Sequence, residues 1–178
     1  MITNEYGIHT FSLKLQCKYS EIQNIIEQNE CICTGKGKLG LSSYYQMPQF
    51  KDIGVEIQLG QSVSHPCWLI LIVNPSSLLT GTYESTALFQ ADKESVQQLK
   101  HHLRNILDTI GVDRRLKGFK LSRCDLTCNL YYDRKADVQD RLDIFKKSFP
   151  IPHYSAVKFG KYANFDEKFK GANKHSLS

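Results

Sequence analysis

The sequence predicts an α+β fold in which helices pack on one face of an antiparallel sheet. Segments with an apolar residue at every second position are interleaved with segments whose apolar residues follow helical spacing. Several of the expected strands combine one apolar face with one polar face, which is typical of a sheet covered on one side only. The predicted order is βα-βββ-α-β-α-β, and a ferredoxin-like topology is its simplest description.

The first half of the chain supplies one helix and most of the sheet. Ser20 is expected to cap a helix that ends near Asn29, with isoleucines on its buried side. The glycine-rich residues 35–40 lack the Lys-Ser/Thr end of a phosphate loop, so we interpret them as a turn. The strands expected here are residues 8–17, 41–46, 53–59 and 67–73. The last of these is apolar on both faces, which indicates a central strand.

A long amphipathic helix opens the second half. It runs from Asp92 or Lys93 to Ile110, with apolar residues at helical spacing and Gly111 as its C-cap. Residues 76–90 ahead of it follow neither period clearly. Two further elements are expected, a helix at 136–149 and a last short strand at 154–159.

Between the long helix that ends at Ile110 and the helix at 136–149 lies the strand with the most polar side chains, residues 119–132. Its odd-numbered positions include Arg123, Asp125, Thr127 and Asn129. Its even-numbered positions include Ser122, Cys124, Leu126 and Cys128. We therefore expect a central strand whose even-numbered face joins the core and whose odd-numbered face lies open.

Charge is distributed unevenly along the 178 residues. The length fits one domain, at residues 1–160, followed by a basic tail at 161–178. The formal net charge is +5, and residues 146–178 account for all of it, with seven lysines against Asp166 and Glu167. A mildly basic protein with its charge at one end is expected to bind a polyanion.

The six cysteines and the absence of long apolar runs bear on the compartment. The first residues show no apolar signal region, and the longest apolar run, residues 68–73, is far too short to span a membrane. We therefore expect a cytoplasmic protein with reduced thiols. The Cys-x-Cys and Cys-x3-Cys spacings differ from those of zinc sites, so zinc is not expected.

Two carboxylates form the sharpest candidate site. If Glu56 and Asp125 shared the open face, their oxygens could hold Mg²⁺ or Mn²⁺, which would polarise a bound phosphodiester. The alternative is structural, with either carboxylate paired to Arg123 or Lys14 on the solvated face. Exposed ion pairs are far commoner than metal sites, so the structural interpretation is favoured.

Three stretches resemble the N-terminal part of the replication initiation factors of Firmicutes plasmids, phages and integrative elements. These are the run Gly54-Val55-Glu56, the apolar strand WLILIVNPSSLL, and Arg123-x-Asp125-Leu after a long helix, with Asn129 in the second acidic position. The family comprises rolling-circle initiators related to HUH endonucleases. The resemblance implies a Rep-like fold, DNA as partner and a metal-dependent strand-nicking reaction.

The same resemblance implies an incomplete nicking site. Asn129 stands where the family has a second acid, and the strand expected to carry a Tyr-Asp-Lys motif is not in this sequence. Tyr154 and Tyr162 are the candidate nucleophiles, but no neighbouring residue in the sequence would activate either.

The expected function is DNA binding by a protein of a mobile genetic element, without nicking activity. The residues expected to contact DNA are Arg123, Lys146, Lys147, Lys158, Lys161, Lys168, Lys170 and Lys174. One alternative is a phage-encoded anti-CRISPR inhibitor that binds a Cas nuclease, DNA or both, because fold does not determine function. The other alternative is an active Mg²⁺- or Mn²⁺-dependent nicking endonuclease.

Overall fold

A computed structural model describes residues 5–37, 40–82, 87–113, 116–131 and 140, together with the backbone of 3–4, 154–159, 162–167 and 176–177. The chain divides into two compact units. One comprises Glu5–Asn129, and the other joins Met1–Asn4 to Leu130–Ser178.

The larger unit contains a six-stranded sheet with helices, which confirms the α+β prediction. Its strands are β1 (Thr3–Cys17), β2 (Ile32–Lys36), β3 (Ser42–Met47), β4 (Val55–Ser62), β5 (Cys67–Val73) and β6 (Lys120–Tyr131). Its helices are α1 (Tyr19–Gln28), α2 (Pro75–Thr80) and α3 (Lys93–Thr109), with 3₁₀ helices at Pro48–Ile53 and Leu116–Gly118. The spatial order of the strands is β2-β3-β4-β5-β1-β6.

Antiparallel register places the apolar side chains of the central strands on one face. Leu15 of β1 faces Leu69 of β5, and Leu69 in turn faces Leu59 of β4. All three side chains are buried. Burial alternates along β4, as its period-two pattern predicted, and also along β5, whose sequence is apolar on both faces. β5 lies between β4 and β1, so its prediction as a central strand is confirmed.

The helices complete the core on this apolar face. α1 packs against β4 and β5, and it buries Ile22 and Ile25. The α3 helix begins where predicted, because the Asp92 carboxylate accepts hydrogen bonds from the backbone N–H groups of Glu94 and Ser95. The α3 residues in the core are Leu99, Leu103, Ile106 and Leu107.

Several local predictions require correction. Lys18 rather than Ser20 is the N-cap of α1, and its backbone N–H is bound by the Glu21 carboxylate. β2 was not expected, because its sequence ICTGK lacks an apolar alternation. The unassigned residues before α3 contain the short helix α2, which Asn74 caps by accepting from the Ser77 N–H.

The largest correction concerns β6, which is an edge strand and not a central one. Its even-numbered face, expected in the core, is exposed at Cys124, Leu126 and Cys128, and Leu126 is 80% exposed. The physical reason is position. Among the described strands, β6 has β1 as its one neighbour, and α1 packs over β4 and β5 nearer the sheet centre.

The smaller unit contains a second, three-stranded sheet. Its strands are β7 (Tyr154–Phe159), β8 (Tyr162–Glu167) and β9 (Ser176–Leu177), in the order β7-β8-β9. β7 agrees with the predicted strand at 154–159, and β8 and β9 follow it within residues 161–178. The predicted helix at 136–149 lies outside the described residues, apart from Asp140.

No helix among the described residues combines the length and apolar character needed to cross a membrane. All six cysteines lie among the described residues and none forms a disulfide, and burial raises the pKa of the Cys31 thiol.

Candidate nucleic-acid interface

The face of the sheet opposite α1 carries the polar side chains of the central strands. Here the register aligns Glu56 of β4 with Ile72 of β5 and Ser12 of β1. Two residues further along the same strands, a second row is formed by Gln58, Ile70 and Lys14. We call this surface the open face. It is the surface on which the sequence predicted the functional chemistry.

Asp125 is held on the open face by two neighbours. The Thr10 hydroxyl donates a hydrogen bond of 2.5 Å to Oδ2, which joins β6 to β1. The Arg123 guanidinium donates to Oδ1 at 2.8 Å from the same strand. The predicted structural pairing of Asp125 with Arg123 is confirmed, and both carboxylate oxygens already have a donor.

These contacts explain the acidity of the Asp125 carboxyl. The Thr10 hydrogen bond is the largest cause, and it lowers the pKa below the usual aspartate value. Partial desolvation works in the opposite direction, while the Arg123 hydrogen bond and the charges of Arg123 and His9 add to the lowering. The carboxylate is therefore ionised throughout the neutral range.

Glu56 lies elsewhere on the same face. It accepts a hydrogen bond of 2.6 Å from Gln58 Nε2, and not from Arg123 or Lys14 as the structural alternative expected. Lys14 instead places its Nζ 3.9 Å from the ring centroid of Trp68. Glu56 also borders a concavity of about 460 Å³ near Lys51 and Asp52.

The candidate metal ligands do not fit a shared ion. Two strands, β5 and β1, separate β4 from β6, so Glu56 and Asp125 lie about 14 Å apart at three strand spacings. Among the described residues, no group of three or more His, Cys, Asp or Glu side chains could hold a metal. With its oxygens engaged by Thr10 and Arg123, Asp125 is a structural carboxylate.

The remaining predicted residues belong mostly to the smaller unit. The side chains of the candidate lysines between 146 and 174 lie outside the described residues. The backbone of β7 and β8 pairs Tyr154 with Glu167 and Phe159 with Tyr162. The two candidate nucleophiles are therefore at opposite ends of this hairpin, about 17 Å apart at 3.4 Å per residue. The structure does not bring them together.

A basic cluster that the sequence did not predict lies on α3 and the second 3₁₀ helix. Lys100 and Arg104 are one helical turn apart, and Lys117 approaches from the second 3₁₀ helix. The three cations border one concavity of about 610 Å³, and Leu116 completes the described part of its lining. None of the three has an ion-pair partner among the described residues. We call Lys100, Arg104 and Lys117 the basic cluster.

The net charge of long segments does not reveal this cluster. Outside residues 146–178, cations and acids balance, and that neutral sum conceals a local excess around α3. The available signal was the four-residue spacing of Lys100 and Arg104, which places both on one side of a helix. The contribution of Lys117 required knowledge of the tertiary packing.

Comparisons with known proteins add no assignment. No protein-family model, no curated protein and no solved structure matches this chain. The resemblance to rolling-circle initiators therefore rests on the sequence motifs alone.

Proposed function

We propose that this chain is a DNA-binding protein of a mobile genetic element, built on a Rep-like α+β domain. It holds DNA chiefly through phosphate groups. Phosphate contacts supply most of the affinity of non-specific DNA binding, and each neutralised phosphate releases condensed counterions.

The basic cluster is the observation that carries this proposal. Three side-chain cations border a single concavity, and no described carboxylate neutralises them. Like charges repel one another, so such a convergence is costly unless an anion occupies the site. A phosphodiester backbone supplies anions at regular spacing, which suits Lys100, Arg104 and Lys117 arranged over two elements.

The strand order supports the Rep-like part of the proposal. When β2, β3 and the short α2 are set aside, the chain reads β1-α1-β4-β5-α3-β6 and the sheet order is β4-β5-β1-β6. A β-α-β-β-α-β succession is the ferredoxin-like pattern that the sequence led us to expect. The β2–β3 hairpin then widens the sheet at one edge.

Salt-dependent binding tests the proposal. We expect the affinity for labelled DNA to fall steeply with salt, and each cluster residue changed to alanine to reduce the log–log slope by about 0.9 per lost phosphate contact. Lys36→Ala is the matched control, because Lys36 is exposed on β2 at the other end of the sheet. The measurement is fluorescence anisotropy at five or more salt concentrations.

Three results would decide against this function. An affinity that does not change with salt would exclude phosphate binding by the cluster. A salt slope equal to that of the parent protein in the Lys100→Ala, Arg104→Ala and Lys117→Ala variants would exclude it too. A stable complex with a Cas nuclease in the absence of DNA affinity would establish the inhibitor alternative. A covalent adduct with supercoiled plasmid in Mn²⁺, lost in Tyr154→Phe or Tyr162→Phe, would establish the nicking alternative.

A further inference from the structure

On the open face, away from Asp125, a gap lies between two aromatic side chains. Tyr44 of β3 faces Gly60 of β4, and Gly60 faces Trp68 of β5. Directly opposed residues of antiparallel strands project to the same side of the sheet. The two rings therefore flank a position at which β4 has no side chain. We call this gap the Tyr44–Trp68 slot.

The backbone spacing across the slot leaves room for a flat ring. Tyr44 and Trp68 are two strand spacings apart, about 9.6 Å at the backbone. Stacked bases follow one another at about 3.4 Å, so a base between two rings needs about 7 Å. A Cβ added to Gly60 would meet the Tyr44 ring and Trp68 Cβ at 4.0 Å. The concavity here measures about 480 Å³.

Both aromatic side chains are accessible to solvent, and Lys14 contacts the Trp68 ring. Tyr44 is 52% exposed on β3, the strand next to the sheet edge β2. Lys14 reaches Trp68 from β1, with Nζ 3.9 Å from the ring centroid, whereas Gly60 and Tyr44 lie on the other flank of β5. This cation–π contact orients the indole and places a positive charge beside the slot.

The polar lining suits a nucleobase and its phosphate. Gln46 of β3 faces Gln58 of β4 in the row next to the slot, and both border the concavity. Gln58 donates a hydrogen bond from Nε2 to Glu56, and its Oε1 is an acceptor. No carboxylate borders the described part of the slot, and Lys14 is its one cation there. This charge complements a polyanion.

We propose that the Tyr44–Trp68 slot binds one unpaired base of a single-stranded nucleic acid. The base stacks between Tyr44 and Trp68 above Gly60, and Lys14 contacts the adjoining phosphate. Stacking on aromatic side chains combined with nearby cations is the general mode of single-strand binding on open sheets. The inference rests on the proposed function only in requiring that the protein bind nucleic acid.

Trp68 itself provides the assay, because it is the only tryptophan in the chain. The probes are a thymidine decamer, an abasic decamer with the same number of phosphates, and the matched duplex. We expect the thymidine decamer to quench Trp68 fluorescence and to bind about tenfold more tightly than the abasic strand. The abasic strand and the duplex should leave Trp68 fluorescence unchanged.

Two variants disrupt the slot in different ways. Tyr44→Ala removes one ring, and Gly60→Val fills the gap with a residue that a β-strand accommodates well. Each should weaken thymidine-decamer binding about tenfold while abasic binding and the salt slope stay unchanged. Tyr19→Ala is the control, because Tyr19 is an exposed tyrosine on α1. Circular dichroism melting confirms that each variant is folded.

The outcomes separate the two proposals. Salt-dependent binding with equal affinity for thymidine and abasic strands, and with constant Trp68 fluorescence, would overturn the slot and leave the proposed function standing. Absence of salt-dependent binding would overturn the proposed function. Quenching of Trp68 by a soluble oligosaccharide, with no response to any oligonucleotide, would assign the slot to a carbohydrate and overturn the proposal.

Discussion

Asp125 illustrates how a residue with apparent catalytic chemistry can have a structural role. Its carboxylate joins the edge strand β6 to β1 through Thr10, and Arg123 neutralises its charge at the surface. The Asp125 side chain is 30% exposed and that of Arg123 is 65% exposed, so solvent screens the ion pair more than the hydrogen bond. The link to Thr10 is therefore the contact that should stabilise the sheet edge.

Removing that link should destabilise the protein in a pH-dependent way. We expect Asp125→Asn and Thr10→Val each to lower the free energy of unfolding by about 1 kcal/mol at pH 7. Because the folded-state pKa of Asp125 lies below the unfolded value of about 3.9, its contribution is complete above about pH 5. It is lost as the pH falls through the folded-state pKa. Urea denaturation at pH 7, and at a series of falling pH values below the unfolded pKa, measures the full contribution and its loss.

Asp113→Asn provides the control for this experiment, because Asp113 is exposed in the loop after α3. It should change stability little at either pH. Millimolar Mn²⁺ should leave the melting temperature of the parent protein unchanged. A rise of several degrees in Mn²⁺ that Asp125→Ala abolishes would contradict the structural role and restore the metal interpretation.

Gly54 is a residue whose identity is dictated by the backbone conformation. It follows the first 3₁₀ helix with φ +83°, and an added Cβ would lie 2.5 Å from Ser77 Cβ. We expect Gly54→Ala to destabilise the protein by more than about 2 kcal/mol, since a left-handed backbone and a steric overlap act together. Thermal and urea unfolding would measure the loss.

Gly81→Ala isolates the backbone part of that cost. Gly81 has a similar φ of +72°, but nothing lies within 4 Å of its added Cβ. Its substitution should cost about 1 kcal/mol from the left-handed conformation alone. Equal losses at Gly54 and Gly81 would show that the overlap with Ser77 relaxes freely.

At the scale of elements, α3 and β6 show what a periodic pattern can and cannot predict. The apolar stripe of α3 lies in the core as predicted, and Leu107 is only 1% exposed. The alternation of β6 correctly separated its two faces, with Asp125 on the open side. The same alternation does not report how many neighbours a strand has, so Leu126 was assigned to a core that does not reach it.

Truncating these two leucines should distinguish core from edge. Leu107→Ala should cost about 3 kcal/mol, because it removes buried methyl groups and leaves a cavity. Leu126→Ala should change stability by less than about 0.5 kcal/mol, as expected for an exposed surface position. Equilibrium urea denaturation measures both changes. A loss at Leu126 comparable to that at Leu107 would place the β6 leucine in a buried environment.

At the scale of the whole molecule, the described apolar core and the lysine-rich segment belong to different units. Among the residues whose side chains the structure describes, the buried apolar cluster runs from Leu15 to Phe119, within the unit Glu5–Asn129. The seven lysines of residues 146–178 belong to the smaller unit. The basic cluster adds a second set of cations inside the larger unit.

A chain shortened to end at Tyr131 should therefore fold and bind DNA. We expect one cooperative unfolding transition, since the apolar cluster is retained. DNA binding should persist with a smaller salt slope, because the basic cluster remains and the lysines after 146 are gone. Circular dichroism and anisotropy measure the two properties. An unfolded fragment, or a folded fragment without DNA affinity, would contradict this expectation.

The sequence alone determined the fold class, most elements of the larger sheet and the polar character of its open face. These properties follow from local periodicity, capping and turn residues, which act over a few neighbouring positions. The α3 helix shows this clearly, since Asp92 begins it and Gly111 follows its end. The pairing of Arg123 with Asp125 was also accessible, because residues two apart on a strand share a face.

Only the tertiary structure decided which residues meet across the sheet. Strand order placed β6 at the edge and separated Glu56 from Asp125 by two strands, so the two candidate carboxylates do not share a metal site. Packing of the second 3₁₀ helix against α3 brought Lys117 to Arg104, and antiparallel register set Tyr44 and Trp68 around Gly60. Such contacts depend on residues far apart in the chain, so no local pattern encodes them.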